Sequence, residues 1–155
     1  MFSQTVEYAL RAVVDLASRD GQPVPIAAVA ERTLVPKPYL AKILQTLTRA
    51  GIVTARRGTC GGVSLTRPAD QVTLLEVVNA VEPVGRIAIC PLGLPAHGHR
   101  LCPLHKRLDD ALAAVEAAFA ATTLVELVGT PSAAGPLCDA GNGTHRRVPL
   151  PVKPR

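Results

Sequence analysis

The run Thr33-Leu34-Val35-Pro36-Lys37-Pro38 limits this chain more than any other stretch. Its two prolines remove backbone donors and push their predecessors out of the helical region, so no single helix can cross it. Helical periodicity stands on both sides. Ile26 to Arg32 reads as a short helix with Ile26, Val29 and Ala30 inward. A second helix starts near Pro38 and runs to about Ala50, where Gly51 supplies the C′ residue. Its apolar stripe is Leu40, Ile43, Leu44 and Leu47, and its opposite face carries Tyr39, Lys42, Gln45, Thr46 and Arg49. Two short helices joined by a tight turn make a helix-turn-helix.

The next segment adds a hairpin. Ile52 to Arg56 is rich in β-forming residues, Arg57-Gly58-Thr59-Cys60-Gly61-Gly62 turns, and Val63 to Leu65 returns. A hairpin directly after a helix-turn-helix is a wing. Lys42 and Arg49 can neutralise phosphates, while Gln45 offers donor and acceptor together to a base edge. Arg56 and Arg57, at the base of a glycine-rich tip, suit a narrow minor groove. Cys60 reads as a small residue at an adaptable position. A net charge of +5 and a pI near 9.4 permit a nucleic-acid partner.

Around this unit the pattern is helical. Residues 3–19 place Val6, Leu10, Val13 and Ala17 on one face, with Ser3 as N-cap and Asp20-Gly21 as the stop. Glu7 sits at the margin of that face, near the positive end of the helix dipole. Thr73-Leu74-Leu75-Glu76 is a capping box for a helix reaching about Val81, with Leu74, Val77, Val78 and Val81 inward. The longest amphipathic pattern starts at Pro103 and carries Leu104, Leu108, Leu112, Val115 and Phe119. That seam either completes the core or pairs with a second copy. Thr123-Leu124-Val125-Glu126 is another capping box, with a last short helix near Leu127. The expected fold is mainly α: a winged helix-turn-helix domain over 1–82, a loop over 83–102, and a long helix with a short one over 103–130. Residues 131–155 lose periodicity, gain Pro, Gly and Ser, and read as a disordered basic tail. Cys138 and His145 in it are taken as incidental.

The loop before the long helix holds most of the metal-binding chemistry. Between Cys90 and His105 lie two of the four cysteines and three of the four histidines, His97, His99 and His105. Thiolates and imidazoles suit zinc, copper or iron–sulfur clusters. No apolar run reaches the roughly 20 residues that span a bilayer, and the N-terminus lacks a signal-peptide pattern. A cytoplasmic chain is expected, in which unevenly spaced cysteines point to a metal, a cluster or thiols rather than a disulfide framework. Catalysis is not expected, because no nucleophile or carboxylate constellation with a credible base stands at a strand end.

The string Tyr39-Leu40-Ala41-Lys42-Ile43-Leu44-Gln45, with Leu47, Ala50-Gly51-Ile52-Val53, Arg57-Gly58 and Gly61-Gly62, resembles the IscR/NsrR family of bacterial winged-helix regulators, the Rrf-two family. Glu7-Tyr8-Ala9-Leu10-Arg11-Ala12, the helix at 73–82 and the cysteine loop extend the resemblance over about residues 1–128. It implies a homodimeric transcription factor, commonly a repressor, on a double-stranded DNA operator, with the helix from 103 crossing its partner. Pro38, Tyr39, Lys42 and Gln45 would lie at the major groove and Arg57 at the minor groove. Members with three loop cysteines bind an iron–sulfur cluster and sense redox state, nitric oxide or iron–sulfur status. Here Cys90 and Cys102 match the outer two, and the middle position falls near Ala96. The resemblance points to His105, and to Glu7 from the partner subunit or else a loop histidine, as replacement ligands of a 2Fe–2S cluster, for which Rieske centres give mixed Cys/His precedent. A cluster-free Cys90/Cys102 thiol switch, or zinc on two cysteines and two histidines, remain the alternatives.

Overall fold

The computed structural model describes residues 2–58, 61–93 and 100–129. Cys60, Ala96, His97, His99 and the tail from 131, with Cys138 and His145, lie outside the described residues. At the centre is α1, Gln4–Ala17, which starts where the Ser3 hydroxyl accepts the Val6 N–H. It packs against α2 (Ile26–Thr33), α3 (Lys37–Arg49), α4 (Leu74–Val81) and α6 (Leu124–Gly129). Contact on several sides explains why its buried face is broader than the predicted stripe. Ala9, Ala12, Val14 and Leu16 are buried together with Val6 and Val13. The helix also ends two residues earlier than expected, because Asp20 and Gly21 both take positive φ and turn the chain.

The helix-turn-helix forms as the prolines require. α2 stops at Thr33, Leu34 adopts a left-handed conformation, and Pro36 and Pro38 open α3. Leu40, Ile43, Leu44 and Leu47 are the buried residues of α3. Its end is a Schellman motif. The Ile52 N–H donates to the Leu47 carbonyl at 3.0 Å and the Gly51 N–H to Thr48 at 3.1 Å. Gly51 supplies the positive φ of 74° that this exit needs.

Strand β1, Val53–Arg56, pairs antiparallel with β2, Gly62–Leu65, with Val53 opposite Leu65 and Arg56 opposite Gly62. β1 starts one residue later, and β2 one residue earlier, than the pattern implied. A feature the local pattern did not contain is a third rung. Val24 and Val63 exchange backbone hydrogen bonds at 2.9 and 2.8 Å, so the loop before α2 seats the wing on the core. Gly62 allows this approach. A Cβ there would stand 2.5 Å from the Val24 carbonyl oxygen. Gly62→Ala is therefore expected to lose about 1–3 kcal/mol through overpacking against backbone. Urea unfolding measures it, and a variant as stable as wild type would show that the wing is not seated this way.

Two capped helix starts meet across the core. In α4 the Thr73 hydroxyl accepts the Glu76 N–H while Glu76 accepts the Thr73 N–H. Glu126 accepts both the N–H and the hydroxyl of Thr123 at the start of α6, which begins at Leu124 rather than near Leu127. Thr73 and Thr123 form an antiparallel bridge, with the Leu74 N–H on Thr122 and the Leu124 N–H on Val72. These paired caps turn the chain at the end of α5 (Pro103–Ala121) into α6. No residue of α5 is fully buried, and Leu104 and Leu108 are 63% and 47% exposed. Of the seam expected to complete the core or pair with a copy, Phe119 packs against the core and stacks on Phe2, Leu112 and Val115 are half-buried, and Leu104 and Leu108 stay outside.

Candidate nucleic-acid interface and metal centre

The outer face of α3 and the wing form one surface. Pro38, Tyr39, Lys42, Gln45 and Arg49 are all exposed, as are Arg56 and Arg57 where the wing begins to turn. Among the described residues Lys42, Arg49, Arg56 and Arg57 form no ion pair, whereas Arg11, Arg19, Arg32, Arg67 and Arg86 each hold a carboxylate. Cations are left uncommitted on the face that the helix-turn-helix presents. Lys37, exposed at the start of α3, joins them and was not singled out from the sequence.

The second site is built at the start of α5. Cys102 is the N-cap residue and Pro103 opens the helix, so His105 is the third helical residue. That is the N-cap and N3 spacing at which Thr73 meets Glu76 and Thr123 meets Glu126. Here the two side chains are of the kinds that ligate metals, and Cys102 Sγ lies 3.1 Å from His105 Nδ1. The arm after α4 brings Cys90, 5% exposed, to 3.6 Å from the same nitrogen. The three donor atoms lie within 4.8 Å of one another. Donors about 2.3 Å from one ion stand roughly 3.8 Å apart in a tetrahedral set, so the group fits a thiophilic metal centre. Both cysteines are thiols rather than a disulfide. Glu7 does not join this group in the same chain; it pairs with Arg11 on α1.

The arm is held down by residues that the sequence reading missed. The Arg86 guanidinium donates two hydrogen bonds of 2.7 Å to the Asp109 carboxylate and a third of 3.2 Å to Glu116. The Ile87 N–H also donates to Asp109 at 2.9 Å. Arg86, then the Ile87 N–H, hold the Asp109 carboxyl down at about 2, below its ordinary 3.8. A depressed carboxyl contributes fully above its unfolded value, and the contribution disappears as pH falls through the folded one. The clamp is therefore intact across the neutral range. The available signal was the spacing of His105, Asp109 and Glu116, four and seven residues apart on one helix face.

A two-helix reader with an uncommitted basic face, a hairpin wing and a thiol–imidazole group on a separate long helix define a winged helix-turn-helix transcriptional regulator. Comparison with known proteins names the family. Residues 2–130 match the Rrf2 family, described as iron-dependent transcriptional regulators, and the chain belongs to it. A Synechocystis protein described as an HTH-type transcriptional regulator is 46% identical over 76 residues, covering 48% of this chain and 52% of that one. An Aquifex aeolicus protein of the same description is 27% identical over 131 residues, 83% of this chain and 91% of that one. Among solved structures, the fold is similar to CymR, the global cysteine regulator of B. subtilis, with TM-score 0.72 and 23% identity over 85% of this chain and 98% of that one. It is also similar to T. potens IscR, with TM-score 0.68 and 23% identity over 82% and 85%. The family consists of regulators rather than enzymes, in agreement with the sequence reading. No helix among the described residues is long and apolar enough to cross a membrane.

Proposed function

We propose that this chain is a homodimeric, cytoplasmic repressor whose grip on its operator is set by a sensing group at Cys90, Cys102 and His105. The observation that carries this reading is the donor triad, two of whose members lie on α5 and one on the arm before it. Residues 1–82 bind DNA, 83–102 carry the arm, 103–130 pair with a second copy, and the basic residues from 131 add salt-sensitive affinity. The exposed Leu104 and Leu108 support pairing through α5.

Pro38, Tyr39, Lys42, Gln45 and Arg49 serve the major groove, and Arg56 and Arg57 serve the minor groove. An iron–sulfur cluster of the 2Fe–2S type is the occupant that family membership favours, with Glu7 of a second copy as a further ligand; zinc and a Cys90/Cys102 thiol pair are the other readings. When bound, the group supplies coordinate bonds that respond to redox state or nitric oxide. The chain's own part is mechanical. Cys90 anchors the arm, Cys102 and His105 anchor the helix start, and joining them restrains α5. Paired α5 helices set the separation of the two readers, which must match half-sites about 34 Å apart or a multiple of that.

Selection from a random duplex library, followed by titration of the selected DNA with metal-loaded and metal-free protein, tests this. Affinity is expected to differ at least tenfold between the two forms, about 1.4 kcal/mol. Cys102→Ala and His105→Ala should abolish that difference. Gln45→Ala should relax preference at one base position, while Lys42→Ala weakens all sequences alike and lowers the salt slope by about one. Equal affinity in both forms would remove the sensing role, and absence of any selected sequence would remove the operator.

A further inference from the structure

Among the described residues the arm between α4 and α5 has no regular secondary structure, yet it delivers Cys90 to a point within reach of two donors at the start of α5. Its course is set at two places. The Arg86 guanidinium spans Asp109 and Glu116, two turns apart on α5, and the Ile87 N–H adds a bond to Asp109. Four residues after Arg86, Cys90 meets His105, which lies four residues before Asp109. The arm therefore runs back along α5, from its middle toward its start.

The geometry points to Arg86 as the positioning residue of the metal site, acting through Asp109 to hold Cys90 against Cys102 and His105 before any metal arrives. This rests on the metal reading given under the proposed function. Three features of the clamp suit it to that task. Its guanidinium fork meets one carboxylate with two parallel hydrogen bonds, a geometry lysine cannot reproduce. Asp109 shares a helix face with His105, so the clamp and the ligand move as one body. Ile89 and Leu92, on either side of buried Cys90, are exposed, so their apolar side chains do little to fix its position. Without the clamp, ligand binding would have to order the arm at the moment of coordination, at a cost in backbone freedom. Partners one step removed from a metal typically change affinity 10–100-fold when lost.

Anaerobic titration with cobalt(II), followed by thiolate-to-cobalt absorbance, reads the site directly. Wild type should bind, Arg86→Ala and Asp109→Ala should each bind about 10–100-fold more weakly, and the double variant should be no worse than either, because the pair acts as a unit. Arg86→Lys should fall between. A purely structural salt bridge would lower the melting temperature without changing the cobalt affinity of the folded chain. The second measurement needs no metal: alkylation of Cys90 by iodoacetamide, mapped by peptide mass. It should run at least about tenfold faster in Arg86→Ala, as the arm opens locally. Cobalt binding in Arg86→Ala equal to wild type, or an unchanged Cys90 alkylation rate, overturns the positioning role and leaves the metal reading standing. A wild-type chain that takes no cobalt overturns both.

Discussion

Leu47→Ala is expected to unfold this protein about 3 kcal/mol more easily, the middle of the range for removing a fully buried leucine. Leu47 has no exposed surface and lies on the inner stripe of α3, which packs on α1, α4 and β1. Its carbonyl also accepts the N–H of buried Ile52, which closes the helix end at the turn into the wing. The backbone bond from Ile52 survives the substitution, so the loss comes from the cavity and the missing contacts. For a chain of this size the melting temperature should drop by roughly 10 °C. Arg49→Ala, two residues along the same helix, is the contrast. Arg49 is exposed and without an ion pair among the described residues, so its removal should change stability by less than about 0.5 kcal/mol. It should nonetheless weaken DNA binding. Urea unfolding and DNA titration on both variants separate the two faces; a Leu47→Ala loss below about 1 kcal/mol would mean that α3 is not seated as described.

Arg32→Ala is the second large effect. Asp15, 4% exposed, is held by Arg32 through two hydrogen bonds of 2.7 Å, which tie α1 to α2 across the base of the reader. Removing one partner of a buried pair leaves a charge without compensation, commonly at 3–5 kcal/mol. Two features reduce that here. Arg32 is about one-third exposed, and Arg19 already stands 3.7 Å from the same carboxylate. We expect about 2 kcal/mol. The Asp15→Ala/Arg32→Ala double variant should recover part of the loss, because the stranded charge goes with its partner. Additive losses in chemical denaturation would show that the two residues act independently.

Much of the DNA-facing architecture could be read directly from the residues. Pro36 and Pro38 require a break, Gly51 a helix exit, and the alternation from Val53 to Leu65 a hairpin. The same periodicity that buries Leu40, Ile43, Leu44 and Leu47 turns Tyr39, Lys42, Gln45 and Arg49 outward. Two of the three donors of the candidate metal site were local as well. Cys102 and His105 meet because they occupy N-cap and N3 of one helix, a contact made within three residues. Cys90 is a ligand candidate by its type and by resemblance; its place beside His105, 15 residues along the chain, depends on the arm's path.

The misses share one cause. Arg86 meets Asp109 and Glu116 across 23 and 30 residues, Asp15 meets Arg32 across 17, and Val24 pairs with Val63 through the space that Gly62 leaves. Asp15 read as an ordinary polar position until contacts on several sides of α1 buried it. Turn chemistry, caps and helical periodicity act over three or four residues, so the amino-acid order alone determined the elements, the outward basic face and the Cys102–His105 pair. Which distant residues pair depends on the packing of all the elements together. Only the tertiary structure decided where the wing is seated, how Cys90 is held, and that α5 packs Phe119 against the core while leaving Leu104 and Leu108 exposed.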